Sequence, residues 1–185
     1  DGEYTPWLAL AAEFNPQATE LTVSLRPSVR WSDGEVFDAE DVVATFMLLR
    51  EHPALDSSGL WNRLSAVTQV DLHQVQFSFK EPTFSGLHRV AHQAIVPEHI
   101  WSDIDDPVRD PNVDPIGTGP FTEVLSFRNQ SWDLGANPYY WQELGVERLR
   151  FPALPSNESA NLALLHDELD WAGNFVPAIE RIFVE

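Results

Sequence analysis

The sequence predicts an α+β fold, and three observations carry that expectation. Residues 20 to 26 and 75 to 79 alternate apolar and polar side chains with the period of a half-buried strand. Residues 38 to 50 instead place apolar side chains at helical spacing behind an acidic cap. The elements also succeed one another without the strict strand-helix-strand alternation of a doubly wound parallel sheet.

Taken in order, Leu21, Val23 and Leu25 fall on one face of the first strand, and Thr22, Ser24 and Arg26 on the other. Ser32-Asp33-Gly34 supplies a turn. Asp38 is placed to cap the next segment with Asp41 near position N3, and Val42, Val43, Phe46, Met47 and Arg50 follow helically until Pro53. Val67 to Leu72 and Val75 to Phe79 read as a hairpin joined through His73 and Gln74. A short amphipathic stretch covers Leu87 to Ala91, and Pro97 suits the first turn of a helix over Glu98-His99-Ile100-Trp101. The run from Asp105 to Pro120, rich in Pro, Asp and Gly, reads as a long surface loop. Phe121 to Phe127 and Trp132 to Leu134 form a second predicted hairpin, Asn137-Pro138 a turn, and Val146 to Leu154 a further strand. Leu162, Leu165 and Leu169 mark a helix over residues 157 to 168, which leads into Asp170-Trp171-Ala172-Gly173-Asn174-Phe175. The chain shows no internal repeat and no low-complexity tract.

Composition narrows the function. The chain has 185 residues, 43% of them apolar, which is enough for a domain with a core. Its 29 acidic residues against 11 basic ones give a formal charge of -18, a field that repels nucleic-acid backbones and anionic lipid. With no cysteine, thiol catalysis, disulfides and thiolate metal sites are excluded. No apolar run approaches the roughly 20 residues that span a bilayer. The chain opens at Asp1 without an initiator Met or a signal segment, so it is expected to be a piece of a longer parent.

The case for an enzyme is thin. His88 and His92 stand four residues apart, the spacing that lets two imidazoles share a metal on one helix face, and a metal-dependent hydrolase using them is the remote alternative. The Glu of the zinc-helix motif is absent, however, and Arg89 lies between the two. Asp103, Asp105, Asp106, Asp110 and Asp114 lack the ligand register of a calcium loop. Gly117-Thr118-Gly119-Pro120 lacks the Lys and helix start of a phosphate cradle and reads as a structural turn. No nucleophile elbow is present. The expectation is therefore no catalytic residues, no cofactor and no metal. What stands out is seven Trp, whose flat faces suit pyranose rings and peptide side chains but more often fill cores.

The segment LTVSLRPSVRWSDGEVFDAEDV, residues 21 to 42, resembles the signature of family 5 bacterial extracellular solute-binding proteins. IVPEHIW at 95 to 101, DPIGTGPF at 114 to 121 and ANPYYW at 136 to 141 follow in the family's order, with Ala136 where an Arg is usual. The resemblance implies a lobe fragment of the type II periplasmic-binding-protein fold, with a mixed sheet, hairpins and flanking helices. It implies residues 1 to 170 as first-lobe fragment and residues 171 to 185 as the start of a hinge toward a second lobe. It also implies an extracytoplasmic receptor that captures a small solute and hands it to the permease subunits of an ABC importer. Export signal and lipid anchor would both lie outside these residues. The continuation from Asp170 to Pro177 is similar to members that carry cello-oligosaccharides and other β-glucosides. A short oligosaccharide is thus the first expectation and an oligopeptide the alternative. Trp171 is expected as a stacking platform, Asn174 as a hydrogen-bonding group and Phe175 as a cleft wall, with Trp61 and Trp101 as further candidates. Trp31, Asp33, Gly34, Gly117, Gly119 and Pro120 are expected to shape turns and to affect folding before affinity.

Overall fold

A computed structural model describes residues 5–128 and 131–173. Its order is β1 (Ala9–Phe14), β2 (Glu20–Leu25), α1 (Ala39–Glu51), a single 3-10 turn (Leu60–Asn62), β3 (Leu64–Asp71), β4 (Gln74–Phe79), α2 (Gly86–Ala91), α3 (Glu98–Trp101), β5 (Phe121–Arg128), β6 (Ser131–Ala136), β7 (Arg148–Pro152) and α4 (Asn157–Leu165). The class is α+β, as the sequence predicts. The described pairings of β1 with β2, β2 with β4, β3 with β4 and β6 with β7 are antiparallel, a refinement of the mixed sheet expected. The chain divides into two compact units, one of residues 1–123 and 136–147, the other of 124–135 and 148–185.

The first unit is built on a four-stranded sheet of order β1-β2-β4-β3. β2 alternates as predicted, its Leu21, Val23 and Leu25 buried, with Leu21 opposite Phe77 and Val23 opposite Val75 of β4. These side chains meet Val42, Phe46 and Leu49 of α1 in one core that also holds Trp31 and Phe37. Burying each such side chain contributes about 1.5–3 kcal/mol. The helix starts where predicted: Asp38 accepts from Glu40 N at 2.7 Å, and Asp41 Oδ2 accepts from Asp38 N at 3.0 Å, a reciprocal capping box.

The β3–β4 connection is Leu72-His73, one residue earlier than predicted, with Asp71 opposite Gln74. The reason is tertiary. The Leu72 carbonyl accepts from Ala39 N at 2.9 Å and the His73 carbonyl from Leu25 N at 2.8 Å, so the turn is fixed by the first turn of α1 and the end of β2. β3 begins at Leu64, and register shifts at Leu64/Ala66 and Gln69/Asp71 break the alternation that would have shown its full length. β1, unforeseen, is an Ala-rich edge strand held by pairing with β2 rather than by propensity. Pro97 takes the N-cap of α3, just ahead of its first turn.

The second unit holds most of the three-stranded sheet β5-β6-β7 and α4. Trp132 of β6 pairs with Phe151 of β7, their rings stacked at 5.3 Å, and Phe127 of β5 lies beside Trp132 at 6.5 Å. Asp133 is buried and receives Arg150 Nε at 2.9 Å together with the Arg148 guanidinium. Those hydrogen bonds, Arg150 foremost, hold its carboxyl down at about 2. α4 ends at Leu165 instead of 168, where Asp167 turns to a positive φ of 56°. Among the described residues, no helix is long and apolar enough to cross a membrane.

Candidate functional site

The four sequence stretches singled out above meet in the first unit, 95 to 101 at the first turn of α1 and 114 to 121 and 136 to 141 at the Ser32-Asp33-Gly34 turn. Asp41, 5% exposed, is the centre. Its carboxylate accepts from Trp31 Nε1 at 3.1 Å, from Asp38 N at 3.0 Å and from Glu98 N at 2.9 Å. One turn on, Thr45 Oγ1 donates to the Asp41 carbonyl at 2.8 Å and accepts from Val96 N at 3.0 Å. The Trp31 turn, the start of α1 and the segment 95 to 101 are thereby tied to one buried carboxylate.

The other two stretches close the same assembly. Ser32 N donates to the Gly117 carbonyl at 3.0 Å and Gly117 N to Ser32 Oγ at 3.2 Å. Asn137 donates through its backbone to Pro120 O at 2.8 Å and through Nδ2 to Gly119 O at 3.0 Å. Gly34 has φ of +96°, and a Cβ there would stand 3.0 Å from the Tyr139 ring. Glycine is needed both for the backbone angle and for the approach of that ring. His99 Nε2 lies 2.8 Å from Asp33 Oδ2. Burial raises the Asp33 carboxyl, but hydrogen bonds from His99 and Glu35 N outweigh it and leave it below its ordinary value. Trp31, Asp33, Gly34, Gly117, Gly119 and Pro120 thus shape turns, as expected.

Beside them an aromatic group joins the two ends of this unit. Arg26 places its guanidinium 4.0 Å over Trp141 and donates from Nε to Trp7 O at 2.9 Å, while Trp7 meets Trp141 edge-on at 5.2 Å. Burial pushes the neighbouring Tyr140 phenol up, against a smaller opposite pull from Arg26.

The predicted solute contacts fare differently from one another. Trp61 sits on the 3-10 turn, half-buried, with Nε1 donating to Phe46 O at 2.7 Å and its ring 5.1 Å from the Arg50 guanidinium. Its one N–H is already spent on packing. Trp101 closes α3 and is half-buried. Trp171 belongs to the second unit and is 75% exposed. Asn174 and Phe175 lie outside the described residues. A cavity of about 460 Å³ among the sheet, α1 and α2 is lined mainly by apolar side chains such as Leu10, Val23, Phe46, Leu87 and Val90, with Thr5, His92 and Gln93 at its polar positions.

For the metal alternative, His88 and His92 do stand together, ring centroids 4.1 Å apart, but His92 Nδ1 is 2.6 Å from the His88 carbonyl. His99 is taken up with Asp33. Among the described residues, no group of three His, Cys, Asp or Glu side chains is placed to hold a metal ion.

Comparison with known proteins settles the family. The model for bacterial extracellular solute-binding proteins, family 5 middle, matches residues 3–184. The chain belongs to family 5 of the bacterial extracellular solute-binding proteins. Protein XP55 of Streptomyces lividans is 32% identical to this family 5 chain over 148 residues, 76% of it and 26% of XP55. The nickel-binding periplasmic protein of Escherichia coli K12 is 26% identical over 179 residues, 92% of this chain and 33% of that protein. The crystal structure of a periplasmic oligopeptide-binding protein of an oligopeptide ABC transporter from Thermotoga maritima superposes with a TM-score of 0.87 at 29% identity, covering 97% of this chain and 35% of that one. A second crystal structure of that protein, with mannohexaose bound, gives 0.86 at 30% identity, covering 96% and 34%. The family 5 chain therefore spans only about a quarter to a third of the length of these relatives.

Proposed function

We propose that the full-length protein carrying this chain is the extracytoplasmic solute-binding component of an ABC importer, and that its solute is a short oligosaccharide of the β-glucoside or cello-oligosaccharide type. The protein performs no reaction. It holds the solute and passes it to membrane permease subunits, with transport driven by a separate ATPase. The observation that carries the choice of solute is Trp171, three-quarters exposed on the segment that follows α4. A flat indole in that state offers dispersion contact to the apolar face of a pyranose ring, and its N–H offers one directed hydrogen bond. The mannohexaose in the Thermotoga maritima relative supports an oligosaccharide. Asn174 and Phe175 complete the proposed contacts. Residues 171 to 185 are proposed as the start of the hinge and 1 to 170 as the first-lobe fragment. Trp101 ranks next, and Trp61 last, because its N–H is engaged.

An oligopeptide solute is the second reading, favoured by the name of that same relative. The two make opposite demands. A peptide brings charged termini that call for an Arg and a carboxylate, whereas a sugar calls for aromatic planes and neutral polar groups. Calorimetry of the full-length protein with cellobiose, cellotriose and a small peptide library tests the choice. Heat with cellotriose and none with peptides is expected. Tight peptide binding without sugar heat would overturn it.

A further inference from the structure

The seven Trp divide by what already occupies them. Trp31 is buried and donates to Asp41, and Trp61 donates to Phe46 O. Trp7 and Trp141 pack on each other, with Arg26 over the latter, and Trp132 stacks on Phe151. Trp101 is half-buried on α3. Trp171 alone combines 75% exposure with a ring that meets no aromatic or cationic partner among the described residues.

An indole so exposed would ordinarily sample several rotamers, and fixing one on binding lowers affinity. Here the ring lies close over the backbone of residue 173. A Cβ added at Gly173 would fall 2.9 Å from Cη2, 3.1 Å from Cζ2 and 3.7 Å from Cζ3 of Trp171. The six-membered ring therefore rests against the backbone two residues on, in space that exists only because residue 173 has no side chain.

On the sugar-binding reading above, we infer that Gly173 is a positioning residue for ligand binding: its bare backbone seats the Trp171 indole, which presents its free surface to a pyranose ring. The first atom displaced by a methyl at 173 is the far end of a side chain, not backbone. Gly173→Ala swings the indole away and leaves the fold intact.

The test uses the full-length protein with 5-fluorotryptophan incorporated and the Trp171 fluorine resonance assigned by its loss in Trp171→Phe. Gly173→Ala should shift the Trp171 resonance, leave the other tryptophan resonances and the urea midpoint unchanged, and weaken cellotriose binding about three- to tenfold by loss of preorganisation. In a Trp171→Ala background the same change at Gly173 should not weaken binding further, which a merely structural role would not produce. An unmoved Trp171 resonance in Gly173→Ala, or additive losses in the double variant, would overturn the inference. A moved resonance in a protein that shows no cellotriose heat even as wild type upholds the seating by Gly173 and overturns the sugar reading instead. Should Gly173→Ala lower the urea midpoint, the Trp171 resonance and the double-variant comparison are read at a temperature where every variant is folded, and the same outcomes decide.

Discussion

Removing the Asp41 carboxylate should loosen three segments at once. Asp41→Ala strands Trp31 Nε1, Asp38 N and Glu98 N, the first of them fully buried. An orphaned buried donor costs about 1–3 kcal/mol, and loss of a helix cap about 0.5–2 kcal/mol. The Glu98 N–H, half-buried, adds about 0.5–1.5 kcal/mol. The combined loss is about 2–6.5 kcal/mol, a large share of the about 5–15 kcal/mol that holds a domain folded. Asp41→Asn keeps the shape but turns an amide N–H₂ toward at least one donor, so about 1–3 kcal/mol is expected. Glu40→Ala, exposed in the same turn, should change stability by under about 0.5 kcal/mol. Urea unfolding followed by far-UV circular dichroism measures all three, with the slope unchanged if only the native contacts differ. Hydrogen exchange adds resolution, since Asp41→Ala should expose the Glu98 amide while the middle of α1 stays protected. An Asp41→Ala midpoint indistinguishable from that of Glu40→Ala would refute the reasoning.

Three further outcomes follow from the geometry. Asp133 is held at about 2 by Arg150 and Arg148 against an ordinary 3.8, so its stabilising share is present above pH about 4 and lost as pH falls through about 2. Acid unfolding of wild type against Asp133→Asn should therefore show a difference that is constant from pH about 7 to 5 and shrinks below about 4. Gly34→Ala should destabilise by about 1–3 kcal/mol through the positive φ, with a steric part relieved by Tyr139→Ala, a coupling that a double-mutant cycle in urea reads directly. Trp61→Phe removes the bond to Phe46 O and should cost about 0.5–1.5 kcal/mol in thermal or urea unfolding.

How much of this was legible in the sequence depended on whether the cause was local. Asp38 and Asp41 announced α1 because a capping box is written within four residues, and β2 announced itself because its burial alternates without interruption. The sequence pattern understates the start of β3 and sets the hairpin turn one residue late, because bulges and distant backbone donors, Ala39 N and Leu25 N, fix them. β1 has almost no intrinsic signal in Ala9–Phe14 and exists by pairing. The same division runs through the site. The sequence marks Asp41 as a helix-capping residue, but its bonds to Trp31 and Glu98 span 10 and 57 residues and leave no trace in spacing. Trp61, expected to face a solute, is turned to Phe46 O by a contact that composition does not reveal. Gly173 is one residue of a family-like string in the sequence, and its closeness to the Trp171 ring is visible only in three dimensions.

The first unit is assembled from two stretches of chain, 1–123 and 136–147, separated in sequence by residues 124–135 of the other unit. A polypeptide that emerges vectorially, from a ribosome or through a membrane pore, makes Ser32 long before Gly117, 85 residues later, and makes Tyr139 later still. Until that last stretch arrives, the Gly34 turn has no ring against it and Arg26 no Trp141 to cover. The sheet and α1 have the local contacts to collapse early, whereas closure must wait for a distant segment and bear its loop entropy. A chain stopped short of Asn137, Tyr139 and Trp141 should therefore remain open to proteases at its Trp31 turn, whatever the solute.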